Sequence, residues 1–398
     1  MTGPDPGKAS SRVLFAYGFR PFFLLAGLYA VTSIAAWLWL YRNGGWPLPS
    51  LPPQLWHGHE MIFGFISAGI AGFLLTAVPS WTGSRALSGP PLVALVSLWL
   101  AGRVAFSLGH GLPTWLLAVG ELGFVPALLL AIAPALLRGA NRNWPMLGLL
   151  IGFWAADVTF VVGLATQDPL LSRTALVAAM DVVLVLITII GGRIVPAFTG
   201  NALRASGVQA PIRSVPVVER LVLLSMLAML FCDVFFPHSY LTAAIVAAAA
   251  TLHFWRLMGW LGWRTVRQPI VWILHLAYLW LPVGLGLKAA SLAGSFGWAA
   301  HWLHALGAGA AGMMILAVMT RASLGHTARP LKVHALTAIA YGLLTLAVAV
   351  RVFGPNVLAM NYALAVLFSA ALWIAAFVAY LAIYGPILVG PRVDGKPG

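Results

Sequence analysis

From residue 21 to residue 386 the chain is a succession of charge-poor apolar runs separated by short polar breaks. Each run is close to the ~20 residues that cross a bilayer as an α-helix. Hydrocarbon offers no partner to a backbone N–H or C=O, so runs of this length must satisfy their own hydrogen bonds as helices. The runs predict about twelve helices, roughly 21–40, 59–79, 91–109, 114–137, 146–166, 174–198, 219–236, 239–255, 270–289, 299–320, 333–352 and 357–386. Composition agrees: 61% of residues are hydrophobic and 8% charged, against about 25% charged in soluble domains. The fold class is therefore all-α, a polytopic integral membrane protein in contact with a lipid bilayer and without a soluble domain.

Some prolines fall inside these runs. Pro126, Pro134 and Pro282 sit where neighbouring helices can satisfy the freed carbonyls. Pro196 in "GGRIVPAFTG" marks a break ending the sixth helix, and Pro386 predicts a tilt or break in the last. The polar connection at about 199–218 joins two six-helix halves, roughly 13–198 and 219–386, of a single transmembrane domain. No repeat relates the halves, so an inverted-repeat transporter gains no support from self-similarity. The first dozen residues are polar and rich in Pro and Gly, with no cleavable signal peptide evident.

The Lys and Arg residues alternate unevenly. On the N-terminal side lie Lys8, Arg12, Arg20, Arg85, Arg138, Arg142, Arg193, Arg204, Arg213, Arg220, Arg256, Arg264, Arg267, Arg321, Arg329, Lys332, Arg392 and Lys396. Only Arg42, Arg103, Arg173, Lys288 and Arg351 fall on the other. This bias places both termini in the cytoplasm. It also accounts for the net charge of +14 without nucleic acid, since the basic residues come singly or in pairs. A lone cysteine, Cys232, excludes an internal disulfide framework and a cysteine-based metal cage.

The candidates for chemistry are the polar side chains at or inside the spans. "QLWHGHEMIFGF" (54–65) sets His57, His59 and Glu60 at the extracytoplasmic mouth of the second helix. "HWLHALGAGAAGMM" opens the tenth on the same side, with His301 and His304 on one face. His57 and His59 are about 200° apart on a helix. They share one metal only if the chain enters the helix in a non-helical form; otherwise they serve separate partners. His275, near the cytoplasmic end of the ninth helix, and His326, just past the tenth, lie roughly a bilayer's width from His57. Two sites are implied, or one site plus structural histidines. His110, His238, His253 and His334 fit helix caps or headgroup contacts.

Imidazole without thiolate suits haem iron or copper, and nine carboxylates in the whole chain do not supply a hard oxygen cage. Glu60 is placed to accept an imidazole N–H and fix its tautomer. Met61, Met313, Met314 and Met319 are soft ligands or core packing. Gly307, Ala308, Ala311 and Gly312 clear one side of the tenth helix, either for close helix packing or for a flat macrocycle. Arg193, Arg321 and Arg329 suit haem propionates or anchor helices at headgroups. Asp157 and Asp181 form a proton path or a buried hydrogen-bonded pair.

Five stretches together, "GFRPFFLLAGL", "WHGHEMIFGFISAGIAGFLLTAVPSWTG", "GGRIVPAFTGN", "LHLAYLWLPVGL" and "HALGAGAAGMMILAVMTRASLGHTARPL", resemble the NnrS family over about residues 14–385. The resemblance implies a bacterial inner-membrane protein that contains haem b and copper and acts in resistance to nitric oxide and nitrosative stress. Carried over by motif, the histidines are His57, His59, His275, His304 and His326, while His253 and His301 fall outside the pattern. Ala328 stands where the family often shows glycine. His57, His59 and His304 are expected as one cluster and His275 with His326 as a second, with the haem and copper assignments open. A transporter of a metal, haem or small anion is the alternative, and a protein that delivers haem or copper to another complex a third. Whether turnover occurs and what donates electrons stay open.

Overall fold

The structure, a computed structural model, describes residues 13–138, 141–294 and 296–396. Lys8, Arg12 and the polar N-terminal dozen lie outside the described residues. Those described form twelve long helices and no strand. They are α1 Phe19–Asn43, α2 Pro53–Thr82, α3 Pro90–Ser107, α4 Thr114–Leu137, α5 Pro145–Ala165 and α6 Pro169–Ala205. Then follow α7 Pro216–Phe235, α8 Tyr240–Met258, α9 Pro269–Gly294, α10 Gly297–His326, α11 Ala335–Phe353 and α12 Tyr362–Val389.

Local chemistry sets many of the starts. α2, α3, α5, α6, α7 and α9 open on Pro53, Pro90, Pro145, Pro169, Pro216 and Pro269. Proline suits a first helical turn, where its missing N–H would have no partner. His334 caps α11, its Nδ1 accepting from the Leu336 N–H at 3.1 Å. Eleven of the helices are long and apolar enough to cross a membrane. The twelfth, α7, carries Glu219, Arg220 and Asp233, but Glu219 pairs with Arg256 and Asp233 with Lys288. The chain is an all-α polytopic membrane protein.

The proline signals were read too strongly. α6 runs through Pro196 to Ala205, so the connection to α7 is 206–215 rather than 199–218. α12 likewise passes Pro386 and ends at Val389, where the Gly390 N–H reaches the Pro386 carbonyl at 2.9 Å. One missing N–H removes one bond of the ladder, and a long helix with packed neighbours survives it. His326 is the last residue of α10, not beyond it.

Two compact units emerge, their divisions falling within α6, α10 and α12 and at the α10–α11 connection. Unit 1 comprises Met1–Ala179, Met319–Leu331 and Phe377–Gly398. Its core is aromatic, with Phe19, Phe22, Phe65, Phe106 and Phe160 fully buried. Arg20 is buried there too, donating to the carbonyls of Leu388 at 2.8 Å and Gly390 at 2.7 Å. It places a cation where the end of α12 presents unpaired oxygens. Unit 2 comprises Met180–Val318 and Lys332–Ala376. Trp260, Tyr278 and Tyr341 are its largest fully buried side chains.

Candidate metal centre

α2 changes its winding at the histidine motif. Pro53–His59 is α-helical, Glu60–Ile66 is π-helical, and α-helix resumes at Ser67. Such wide turns gather at functional sites. Because Pro53–His59 is already helical, His57 and His59 diverge, as separate partners require. His57 packs on Trp37, ring centroids 4.6 Å apart. His59 is fully buried, stacked on Phe106 at 3.9 Å and against Phe160 at 4.6 Å.

Four more charged side chains surround His59 within unit 1: Glu60, Arg103 of α3, Glu121 of α4 and Asp157 of α5. None is more than 5% exposed. His59 Nδ1 lies 2.8 Å from Glu60 Oε1. Arg103 Nη1 donates to the same oxygen at 2.9 Å, and its Nη2 donates to Glu121. The Tyr29 hydroxyl of α1 donates to the other oxygen of Glu60. Gly64 makes this approach possible, since a Cβ there would run into the Tyr29 ring.

These contacts dictate the state of the imidazole. Glu60 is a carboxylate held by Arg103, so Nδ1 carries the hydrogen and donates it. In the neutral imidazole the lone pair is then on Nε2, which faces Asp157 Oδ1 at 3.6 Å and Glu121 Oε1 at 3.8 Å. Nε2, Asp157 Oδ1 and Glu121 Oε2 are buried without a hydrogen-bond partner. Ligand atoms of His59, Glu121 and Asp157 all lie within 4.8 Å of one another. Metal–nitrogen and metal–oxygen bonds of about 2.0–2.2 Å set ligand atoms roughly 3–4 Å apart, and the 3.6 and 3.8 Å separations at Nε2 fall in that range. With a neutral imidazole, three carboxylates and one guanidinium leave two negative charges in a buried site, which a divalent cation would balance.

The remaining sequence candidates fall in both units. His59 and His57 belong to unit 1 and His304 to unit 2; His326 belongs to unit 1 and His275 to unit 2. His304 stands 6.2 Å from His301, and a second π-helical stretch, Ala305–Gly312, follows it. Two of the small residues expected to clear this helix are covered: a Cβ on Gly312 would meet Trp373 at 2.8 Å and one on Gly307 would meet the Met180 methyl at 3.3 Å. At these two positions the stripe serves side-chain packing rather than a macrocycle. His275 is enclosed. Thr199 gives its hydroxyl hydrogen to the Val195 carbonyl, so His275 Nε2 donates to Thr199 Oγ1 at 2.7 Å, while Nδ1 faces Gly262 with no space for a Cβ between them. His253 Nδ1 accepts from the Tyr278 hydroxyl at 2.7 Å, because that oxygen already accepts from Arg256. Its Nε2 therefore carries hydrogen and cannot ligate.

His326 lies between Tyr17 and Phe19, ring centroids 6.2 and 5.6 Å away. Arg392 donates to its carbonyl at 2.9 Å and, through hydrogen bonds to Asp394, holds that carboxyl below the usual carboxylate range. Arg329 and Arg392 lie within electrostatic range of Arg20, and Arg329 Nη1 is buried without a partner. Arg321 is a half-buried residue of α10, and Arg193 is exposed on α6.

Sequence reasoning missed Tyr29, Arg103 and Glu121 as site residues. Arg103 entered only as a charge on the sparse side, and Glu121 was not singled out although it is a carboxylate inside an apolar run. That signal, followed for every span, would have found both.

No curated protein matches the chain. The family model described as NnrS protein matches residues 13–392, nearly the whole sequence and every helix described above. The chain belongs to the NnrS family.

Proposed function

We propose that this is a metalloprotein of the bacterial inner membrane, with both termini cytoplasmic, that acts in resistance to nitric oxide by binding or turning it over. The observation carrying the metal reading is the buried donor set of His59, Glu121 and Asp157, each with one atom that lacks a hydrogen-bond partner. Glu60 fixes the imidazole tautomer, Arg103 and Tyr29 hold Glu60, and Phe106 and Phe160 exclude water. One nitrogen and two carboxylate oxygens suit a divalent first-row metal, and copper, which the family implies, is the one proposed. When bound, copper supplies one-electron exchange and a position for a small ligand.

Haem does not fit at His59, whose Nε2 faces two carboxylates. His326 fits better, because Arg329, three residues on, is a cation for a propionate and its buried Nη1 has no hydrogen-bond partner. Bound haem b there supplies an iron with affinity for nitric oxide. His57 and His304, both half-buried, are further candidate ligands. His275 is better read as a histidine bonding its own fold.

Metal and optical analysis of the purified protein tests this. Stoichiometric copper lost in His59→Ala, with a haem absorption band altered in His326→Ala, supports the assignment. Copper and haem retained in full by both variants, or never found after haem- and copper-replete expression, overturn it.

A further inference from the structure

Unit 2 holds a second buried charged group, made of Asp181 from α6, Asp233 from α7 and Lys288 from α9. Their exposures are 1%, 6% and 1%. Lys288 Nζ donates to Asp233 Oδ2 and stands 3.7 Å from Asp181 Oδ1. Asp181 Oδ2 has no hydrogen-bond partner. From α10 the Trp302 ring covers the ammonium, 4.8 Å from Nζ to its centroid. The sequence leaves Asp181 between a proton path and a buried hydrogen-bonded pair, and the metal centre does not use it.

The charge count is uneven. Two carboxylates share one ammonium, on α7 and on two helices, α6 and α9, that are long and apolar enough to cross a membrane. Arg256, His253, His301 and Arg351, on other helices of unit 2, are engaged with other partners. On α8, Arg256 pairs with Glu219 and His253 bonds Tyr278. Glu219 is fourteen residues from Asp233 along α7, about 21 Å at 1.5 Å per residue. On α10, His301 meets Asn356 at 3.2 Å and Tyr362, and His304 packs beside it. On α11, Arg351 bonds the Tyr362 hydroxyl. Nothing among these supplies the missing positive charge. Carboxylates that crowd one site out of water hold a proton between them.

We propose that Asp181, Asp233 and Lys288 form a proton-binding site that carries one proton on the Asp181 carboxyl. Asp233 makes the direct ion pair and stays ionised. Asp181, farther from the ammonium and with an unpartnered oxygen, takes the proton and leaves the group electrically neutral. Lys288 is then the residue that decides how many protons the pair holds. Such a site is a point at which proton movement couples to the protein's redox or transport cycle.

Infrared spectroscopy of the full-length purified protein in H2O and D2O tests this directly. The wild type is expected to show a protonated-carboxyl C=O band that shifts in D2O and is absent from Asp181→Asn. In Asp233→Asn, Asp181 becomes the sole counter-ion of Lys288, ionises, and the band disappears there too. In Lys288→Met both carboxyls are protonated and the band doubles. Asp181→Asn matches the shape of the protonated acid and should keep wild-type thermal stability. Should it fail to accumulate, the Asp233→Asn and Lys288→Met spectra decide alone. A band unchanged in Asp181→Asn or in Asp233→Asn overturns the proposal. So does sodium-dependent thermal stabilisation of the wild type with no such band, which would make the occupant a metal cation.

Discussion

Replacing Glu60 by Gln separates a metal site from a merely buried ion network. Glu60 Oε1 receives His59 Nδ1 at 2.8 Å and Arg103 Nη1 at 2.9 Å, while Oε2 receives Tyr29. A glutamine oxygen can still accept from His59 and Arg103, so the shape survives and the charge goes. In the wild type three carboxylates and one guanidinium leave an excess of two negative charges, which a divalent ion cancels. In Glu60→Gln the empty site carries one excess negative charge and the loaded site one excess positive charge. The apo protein should therefore be as stable as wild type or more so, while the metal binds more weakly. Loss of the carboxylate behind a ligating imidazole lowers metal affinity about 10–100-fold, or roughly 1.4–2.7 kcal/mol at about 1.4 kcal/mol per tenfold. Competition titration against a chelating indicator reads the affinity, and thermal unfolding with and without chelator reads the stability. Unchanged affinity in a Glu60→Gln protein that is less stable when metal-free would refute this reasoning.

Other perturbations have directions set by the same contacts. Gly64→Ala drives a methyl into the Tyr29 ring and should cost about 1–3 kcal/mol through overpacking; thermal unfolding reads this, with Gly148→Ala as a control because nothing lies within 4 Å of a Cβ there. Tyr278→Phe removes the hydroxyl that links His253 to Arg256. The cost is about 1–3 kcal/mol for buried groups left unsatisfied, with metal content unchanged by elemental analysis. Arg20→Met strips the end of α12 of its buried cation and should destabilise the protein by a similar amount, again with metal retained.

The architecture was legible because hydrocarbon leaves so few options. Apolar runs of spanning length gave twelve helices with boundaries off by at most seven residues, the ends of α6 and α10 being among the largest differences. The differences at the ends of α6 and α12 came from Pro196 and Pro386, whose local cost is outweighed by packing that the sequence does not display. The site was only half legible. His59 and Glu60 stood out because they adjoin in a motif, but their partners come from α1, α3, α4 and α5. No spacing rule connects Glu121 or Asp157 to residue 59. The π-helical turns were invisible too, since "EMIFGFI" and "ALGAGAAG" carry no pattern that distinguishes a five-residue from a four-residue hydrogen-bond step. Nothing in the sequence sets His275 apart from the other motif histidines, yet it is committed by Thr199 and Gly262, which only the folded chain reveals.

Elemental analysis of the purified wild type beside Asp157→Asn tests the central claim most directly. Asp157 lies far in sequence from the histidine motifs and enters the site only through the fold. The account predicts about one divalent first-row metal ion per chain in the wild type and its loss from Asp157→Asn, with the variant still folded. Equal metal content in the two proteins would contradict it.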